Sequence, residues 1–411
     1  MIKIRYYLIR DSFRSIMMNK VAIVETIMTN FAKRTCIRES SCVPKRYLWT
    51  DAFAVCNFLE LYRQTGLERY REDALLLVDQ VHHVLGRHRS DDSRSGWISG
   101  LDDREAELHP TIGGLRIGKA LNERKEDEPQ NERLEWEQDG QYFHYLTKWM
   151  HALNLVTEVT EDPKYNRWAI ELAKTAYEKF TYLTPYGARR MFWKMSIDLS
   201  YPLVSSMGQH DALDGYITYL ALQKTAERYE NFSDELDISP QIEGLYQMAS
   251  SMGMDTTDPL GLGGLLSDAC ILAQLDIVEN SESTSNMLFS ILDHARQGIG
   301  HFLAEKTVKY PAQYRLAFRE LGLSIGLHAV EIIKHLLEEH ELTVANEKLL
   351  RSLLGTLGEY SALHEYIEAF WQDSENQKSN TWIEHLDINA VMLATSLMPD
   401  GYLRIEWEDR S

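Results

Sequence analysis

The sequence contains little cysteine. Its 411 residues include four, Cys36, Cys42, Cys56 and Cys270, and none forms a Cys-x-x-Cys pair or a Cys/His spacing typical of a zinc site. So few cysteines in a chain of this length are typical of a reduced cytosolic protein. We therefore predict reduced cysteines, a cytoplasmic location and no metal site.

Basic charge is also scarce. Lys and Arg number 43 against 62 Asp and Glu, which gives a formal net charge of -19. Nucleic acids and anionic membrane surfaces bind to concentrated basic surface, so this balance excludes both as expected partners. It says nothing about the oligomeric state.

Long apolar runs are missing as well. No stretch approaches the roughly 18 uninterrupted apolar residues of a transmembrane helix. The basic N-terminus is broken by charged residues such as Arg10, Asp11 and Lys20, so we predict no signal peptide. Met17 and Met18 are alternative start positions.

No nucleotide-binding motif is present. Gly261-Leu262-Gly263-Gly264 is glycine-rich, but no strand precedes it and no Lys-Ser/Thr follows it. Close packing of helices explains these glycines better. We therefore predict no cofactor.

The sequence does contain long segments with helical periodicity, and strict alternation over five or more residues is hard to find. One class of predicted helix is charged on one face, as in residues 168–180. The other is apolar nearly all round, which requires burial on all sides. Six helices of the second class are predicted to begin near Trp49-Thr50-Asp51, Gln138-Asp139-Gly140, Gln209-His210-Asp211, Thr257-Asp258-Pro259, Tyr314-Arg315-Leu316 and Glu384-His385-Leu386.

The alternation of the two classes predicts an all-α fold in which an inner ring of apolar helices is surrounded by amphipathic outer helices. We assign residues 46–405 to this single domain and residues 1–45 to an N-terminal extension or a leading outer helix. Residues 94–133 are polar and rich in glycine. A loop of this length in a compact domain is usually functional, and we expect its residues 97–118 to cover the site as a lid.

Polar and aromatic residues gather at the N-terminal ends of five of the six apolar helices. Asp and Thr are favoured there as helix caps, and for Thr50, Asp139 and Asp258, each taken singly, capping is the favoured interpretation. It does not explain the histidines and tryptophans nearby. Carboxylates, histidines and indole rings in one cavity are typical of a sugar site. The candidate substrate-binding residues are Trp49, Asp51, His109, Tyr142, His144, Trp193, Asp214, Arg319, His385 and Asp387.

The ring pattern, together with the joint Asp162-Pro163-Lys164-Tyr165, resembles the six-hairpin glycosidase superfamily. This superfamily includes unsaturated glucuronyl hydrolases and N-acylglucosamine 2-epimerases. The resemblance extends from about Trp49 to the C-terminus and lies in architecture, since no active-site motif of one family matches residue by residue. It implies an (α/α)6 toroid and a carbohydrate-active enzyme with an oligosaccharide or small-molecule substrate.

Glycoside hydrolysis requires two carboxyl groups that flank the scissile bond. We predict Asp139 and Asp211 as this pair, with His210 beside them and with Asp51 and Asp387 as substitutes. For Arg319 and Glu320 we favour an internal ion pair. Two alternatives stay open: a sugar epimerase or isomerase that uses His210 and His385, and a glycan-binding toroid without catalysis.

Overall fold

The computed structural model describes residues 2–39, 41–229, 234–279, 282–339 and 347–405, with the side chains of the first helix from Met18 onward. Met1 lies outside the described residues. Within these ranges the chain forms seventeen α-helices and five short strands. The helices are α1 (Ile2–Arg34), α2 (Leu48–Thr65), α3 (Glu68–Leu85), α4 (Asp103–Leu108), α5 (Glu132–Glu135), α6 (Phe143–Thr160), α7 (Lys164–Phe180), α8 (Asp211–Tyr229), α9 (Ser239–Ser250), α10 (Pro259–Glu279), α11 (Glu282–Glu305), α12 (Ala317–Glu339), α13 (Glu347–Gly358), α14 (Ala362–Gln372), α15 (Asn380–Ile383), α16 (Leu386–Leu397) and α17 (Asp400–Leu403). The strands are β1 (Gln141–Tyr142), β2 (Thr181–Leu183), β3 (Arg189–Met191), β4 (Lys194–Met195) and β5 (Pro202–Val204).

Six helices form a closed inner ring. In ring order they are α2, α6, α8, α10, α12 and α16, and α16 contacts α2 again. They are the six helices that the sequence predicts, and five begin within three residues of the predicted start. The sixth, α6, begins at Phe143, because Gly140 and strand β1 separate it from Asp139.

The amphipathic helices lie outside this ring. Helix α3 packs against α2, α7 against α6, α9 against α8, α11 against α10, α13 and α14 against α12, and α1 against α16 and α2. The start of α7 shows how the joints are made: the Asp162 carboxylate accepts a hydrogen bond from the Lys164 amide at 3.1 Å. The predicted all-α toroid, with its inner and outer helices, is thus confirmed.

Glycines allow helices α10 and α12 to approach closely. A Cβ on Gly263 would collide with the carbonyl of Gly322, and one on Gly326 would lie 2.7 Å from the carbonyl oxygen of Gly263. Within Gly261-Leu262-Gly263-Gly264, Gly263 therefore serves helix packing, as expected, whereas Gly264 has open space beside it.

Two small antiparallel sheets, which the sequence did not predict, join the ring. Strands β1, β4 and β5 form one and β2 and β3 form the other. In the first, Tyr142 lies opposite Lys194. This pairing fixes the connection between α7 and α8 beside the start of α6.

Residues 94–133 form a packed connection that contains α4 and part of α5. Trp97, Leu115 and Ile117 are buried in it. Arg94 forms ion pairs with Asp92 and with Asp198, which lies just after β4. Since these contacts hold the segment against the ring, a swinging lid is not the arrangement observed.

The prediction of reduced cysteines is wrong for one pair. Cys36 and Cys42 form a disulfide between α1 and α2, whereas Cys56 and Cys270 are free and buried. The six-residue separation gave no sign of the turn that brings the two together. Among the described helices, none has the length and apolar character to cross a membrane. The cytoplasmic location stays a prediction.

The α10–α12 contact yields a test with a neighbouring control. We expect Gly263→Ala to lower the free energy of unfolding by about 1–3 kcal/mol, because its Cβ overpacks against the Gly322 backbone. Gly264→Ala, which meets nothing within 4 Å, should raise it by up to about 1 kcal/mol through helix propensity. Chemical denaturation measures both, and equal effects at the two positions would contradict this packing.

Candidate functional site

The first turns of the inner helices meet at one end of the ring, which we call the mouth. From α2 to α6, the rings of Trp49 and His144 lie 6.3 Å apart. From α6 to α8, His144 Nδ1 lies 3.7 Å from Asp211 Oδ1. From α8 to α10, the His210 ring lies next to Gly261.

The other half of the ring continues this series. From α10 to α12, Arg319 forms an ion pair of 2.8 Å with Asp258, which immediately precedes α10. From α12 to α16, the Phe318 and His385 rings lie 5.7 Å apart. Asp387 of α16 bonds to Arg34 at 2.9 Å, so the first turns of all six helices belong to one surface.

Aromatic rings form one wall of the mouth. We call Trp49, Trp136, Tyr142, Tyr145 and Trp193 the aromatic wall. Trp193 lies 5.0 Å from Tyr142 and 5.3 Å from Trp136, and it stacks nearly parallel to His144 at 6.0 Å. Tyr145 lies 5.3 Å from Trp49. Trp136 is 53% exposed, so the outer edge of the wall faces solvent.

Buried polar atoms in the mouth lack a partner. Trp49 Nε1, His144 Nδ1, Asp211 Oδ2 and Arg319 Nε have no hydrogen bond to any described residue. They belong to the first turns of α2, α6, α8 and α12. Buried polar groups are almost always bonded to protein, water or ligand. Two donors, one acceptor and an imidazole nitrogen that can serve as either are thus available to a polar molecule in the mouth.

Two carboxyl groups of helix α8 lie on the inside of the ring, one at the mouth and one a turn deeper. Asp211 and Asp214 lie three residues apart on one face of α8. Asp214 accepts hydrogen bonds from the Thr147 hydroxyl and, at 2.6 Å, from the Lys148 ammonium. Because both of its oxygens are bonded to donors, the Asp214 side chain is held in a fixed position.

A third carboxyl group, Asp268 of α10, lies deeper. Burial raises the pKa of Asp268 well above its usual value, and the charge on Asp214 raises it further, while Lys148 opposes the shift. The Tyr402 hydroxyl shares this environment, since Lys148, Asp214 and Asp268 all act on its pKa, which burial raises. Burial therefore favours the neutral form of Asp268 in this cluster.

Asp51 also lies in the mouth, but its contacts are structural. Its carboxylate accepts a hydrogen bond from the Tyr47 amide at 2.9 Å and lies 3.5 Å from Arg46. Burial raises the pKa of Asp51 to about 6, although Arg46 and the Tyr47 amide lower it; Asp387 adds to the rise.

Asp139 is not in the first turn of α6, contrary to its predicted place. Its fully buried carboxylate accepts hydrogen bonds from Arg116 at 2.9 Å, Arg89 at 3.3 Å and the amides of Gly118 and Gly140. These bonds tie the connection after α3 to the start of β1. The side chain has no oxygen left for a sugar, so the predicted pairing of Asp139 with Asp211 is not supported by its contacts.

Two further predicted residues have other partners. His109 lies outside the ring, where Nδ1 bonds Glu171 of the outer helix α7 at 2.6 Å, because α4 packs there. Glu320 pairs with Arg315 at 2.6 Å rather than with Arg319, and both partners are buried. The prediction of an internal ion pair is right for Glu320 but wrong for its arginine.

His210 and His385 stand at the rim. His210 Nε2 lies 3.2 Å from the Met254 carbonyl oxygen, and burial lowers its pKa. His385 is exposed and contacts Phe318. No hydrogen bond between either imidazole and a carboxylate is present among the described residues.

The sequence analysis missed Lys148, Asp268 and Tyr402. Asp268 did leave a signal, since it is a single acidic residue in an otherwise apolar stretch of an inner helix. Such a residue is expected to be buried, and a buried carboxyl group with a shifted pKa is a functional candidate.

A second concavity lies at the opposite end of the ring. The lining of this cleft includes Glu60, Arg63, Glu158 and Arg404. Arg63 pairs with Glu60, and Glu158 pairs with Arg228. Its lining contains no aromatic ring. The mouth is therefore the better candidate for a sugar site.

Comparison with known proteins identifies the fold. No protein-family profile matches the sequence, and no curated protein matches it. Among solved structures, a GH76 α-mannanase of Bacteroides thetaiotaomicron is similar to this protein. The two align over 94% of this chain and 96% of the mannanase chain, with a TM-score of 0.53 and 9% sequence identity. The chain has an (α/α)6 toroid fold like that of this structure. At this identity the likeness shows the fold alone.

Two other solved structures match less well. A family 76 glycoside hydrolase from a bovine Bacteroides thetaiotaomicron strain covers 93% of this chain and 78% of its own, at 12% identity and a TM-score of 0.48. An unsaturated glucuronyl hydrolase structure, with the oligosaccharide dGlcA-Glc-Rha-Glc, covers 94% of this chain and 98% of its own. The sequence identity is 14% and the TM-score is 0.37. No site residue is transferred from these six-hairpin proteins.

The raised pKa of Asp268 predicts a pH dependence of stability. Above about pH 4 the unfolded chain loses the Asp268 proton while the folded chain retains it, so stability falls as pH rises. Asp268→Asn removes this pH-dependent contribution to stability. The free energy of unfolding of the variant, minus that of wild type, should therefore increase between about pH 4 and 7. Denaturation at several pH values measures it.

Asp127→Asn, which removes an exposed carboxyl group, serves as the control and should follow wild type at every pH. The same pH slope in Asp268→Asn and in wild type would show that Asp268 ionises normally in the folded chain.

Proposed function

We propose that this protein is a glycoside hydrolase that binds an oligosaccharide in the mouth of the ring. One observation carries the proposal: an aromatic wall, unpartnered buried polar atoms and fixed carboxyl groups converge on one surface. The likeness of fold is compatible with glycoside hydrolysis but does not by itself support it, since one fold hosts many functions.

The aromatic wall suits a pyranose ring. The C–H face of a sugar packs on an indole or phenol ring, and its hydroxyls bond to polar groups at the edges. Trp193 and Tyr142 offer such faces. The Trp49 Nε1 donor and the Asp211 Oδ2 acceptor lie among these rings and have no described partner.

Asp214 and Asp211 are the proposed catalytic carboxyl groups. Asp214, which accepts hydrogen bonds from Lys148 and Thr147, either takes a proton from the attacking water or attacks the anomeric carbon itself. Asp211 protonates the departing glycosidic oxygen. One water is consumed: its hydroxyl ends on the anomeric carbon, and its other proton replaces the one that Asp211 gave away, relayed by His144, which lies 3.7 Å from Asp211. Burial favours the neutral form of Asp268 beside Asp214 and Lys148.

The roles differ from those expected for Asp139 and His210. Asp139 is fully engaged by two arginines, and His210 bonds a backbone carbonyl. No contact of His210 or His385 supports isomerisation by a pair of histidines.

Replacement of the carboxyl groups tests the proposal. Asp211→Asn and Asp214→Asn should each lower turnover about 100- to 10,000-fold, since each removes a proton-transfer or nucleophilic group. Turnover is measured as new reducing ends from a panel of α- and β-linked oligosaccharides of neutral hexoses and uronic acids. Glu227→Gln, an exposed change on the same helix, is the matched control and should keep full activity.

Circular dichroism accompanies these assays, because Asp214→Asn leaves the Lys148 ammonium buried without its partner. If Asp214→Asn is unstable, Asp211→Asn still tests the reaction. The Asp211 side chain accepts no hydrogen bond from a described residue of α6, so this change breaks no such contact. Full turnover in a folded Asp211→Asn, isomer formation without new reducing ends, or binding without turnover would each refute the proposed hydrolysis.

The aromatic wall predicts a separate effect on binding. Trp193→Ala should raise KM about tenfold with a smaller change in kcat, because a stacking contact of about 1 kcal/mol or more is lost in both ground and transition states. Trp193→Phe keeps a ring and should recover most of the affinity. If neither variant changes KM on substrates that wild type hydrolyses, the sugar does not contact this wall.

A further inference from the structure

A cluster of three potential ligands lies away from the mouth, between the inner helix α12 and the outer helix α14. His328 belongs to α12, and His364 and Glu368 lie four residues apart on one face of α14. One ligand atom from each residue lies within 4.8 Å of the others. Glu368 Oε1 is 2.7 Å from His328 Nε2 and 3.9 Å from His364 Nδ1.

His364 supplies an independent sign that something belongs between these groups. Its Nδ1 atom is buried and has no hydrogen-bond partner among the described residues. The atom lies near Glu368 Oε1, which His328 and Ser396 already contact. A buried imidazole nitrogen without a partner requires an explanation, and an electron-pair acceptor provides one.

The spacing fits a small tetrahedral cation. Zinc binds imidazole nitrogen at about 2.0–2.1 Å and carboxylate oxygen at about 2.0–2.2 Å, which places ligand atoms about 3.3 Å apart. The observed separations of 2.7 and 3.9 Å lie on either side of this value. We propose that His328, His364 and Glu368 bind a zinc ion, with water as the fourth ligand.

The surroundings of the cluster hold the carboxylate in place. The Ser396 hydroxyl of α16 donates to Glu368 Oε1 at 2.9 Å and also contacts the Ser324 hydroxyl of α12. Partners of this kind orient the ligands of a metal. Lys20 of α1 bonds the other oxygen, Oε2, at 3.3 Å. Its positive charge opposes a bound cation and therefore limits the affinity.

The zinc would connect an outer helix to the inner ring. His328 is nine residues beyond Arg319 along α12, so the site is distant from the first turns that form the mouth. We assign the ion a structural role in docking α14, with an open position filled by water. The proposal departs from the sequence analysis, which predicted no metal site, and it does not depend on hydrolysis at the mouth.

The test measures zinc affinity directly. Tag-free protein is stripped with a chelator and titrated with Zn²⁺, and bound metal is counted by elemental analysis. We expect one zinc per wild-type chain and a higher melting temperature with zinc. His328→Gln and His364→Gln should each weaken binding more than about a hundredfold, beyond the 10–100-fold loss typical of an outer-shell change. Ser396→Ala should weaken it about tenfold.

Two further variants separate a metal site from an internal ion-pair network. Lys20→Met should tighten zinc binding, because it removes the positive charge beside Glu368. His335→Gln, a histidine on the same helix whose side chain is 72% exposed, should leave binding unchanged. Equal zinc affinity in wild type and in folded His364→Gln would overturn the proposal. So would a wild-type chain that binds no zinc.

Discussion

The site depends on the closure of six inner helices into one ring, because closure brings their first turns together. Each helix start carries roughly half a positive charge from its unpaired amides. Several such ends on one surface favour acidic side chains, and Asp51, Asp211, Asp258 and Asp387 all lie there or next to it. Asp211, one of the two proposed catalytic groups, is thus an acid of the kind that a helix start favours.

The interior of the ring sorts these carboxyl groups by depth. At the rim, Asp387 pairs with Arg34. One turn inside, Asp214 is bonded to Lys148 and Thr147. Deeper still, burial raises the pKa of Asp268 and favours its neutral form. Tyr402 packs beneath this cluster and stacks on Phe53 of α2 at 4.5 Å. One apolar ring therefore gives neighbouring acids different surroundings, and acid–base chemistry depends on such differences.

Sequence periodicity was sufficient for the architecture, since apolar inner helices and one-faced outer helices differ over whole turns. It located Trp49, His144, Trp193, Asp211 and Asp214 in one place. Prediction from periodicity failed where a single residue changes the path of the chain. Gly140, with φ of 146°, turns the chain into β1 and removes Asp139 from the helix start. The packing of α4 on α7 carries His109 outside, and the long-range meeting of His328 with His364 and Glu368 has no local signature.

The central claim is that the mouth binds sugar, and a crystal structure of Asp211→Asn soaked with oligosaccharides tests it most directly. The account predicts a pyranose ring stacked on Trp193 or Tyr142, with its glycosidic oxygen within hydrogen-bond distance of position 211. Sugar bound instead in the cleft lined by Glu60 and Arg63 at the other end of the ring, or a mouth that stays empty while sugar binds elsewhere, would contradict it.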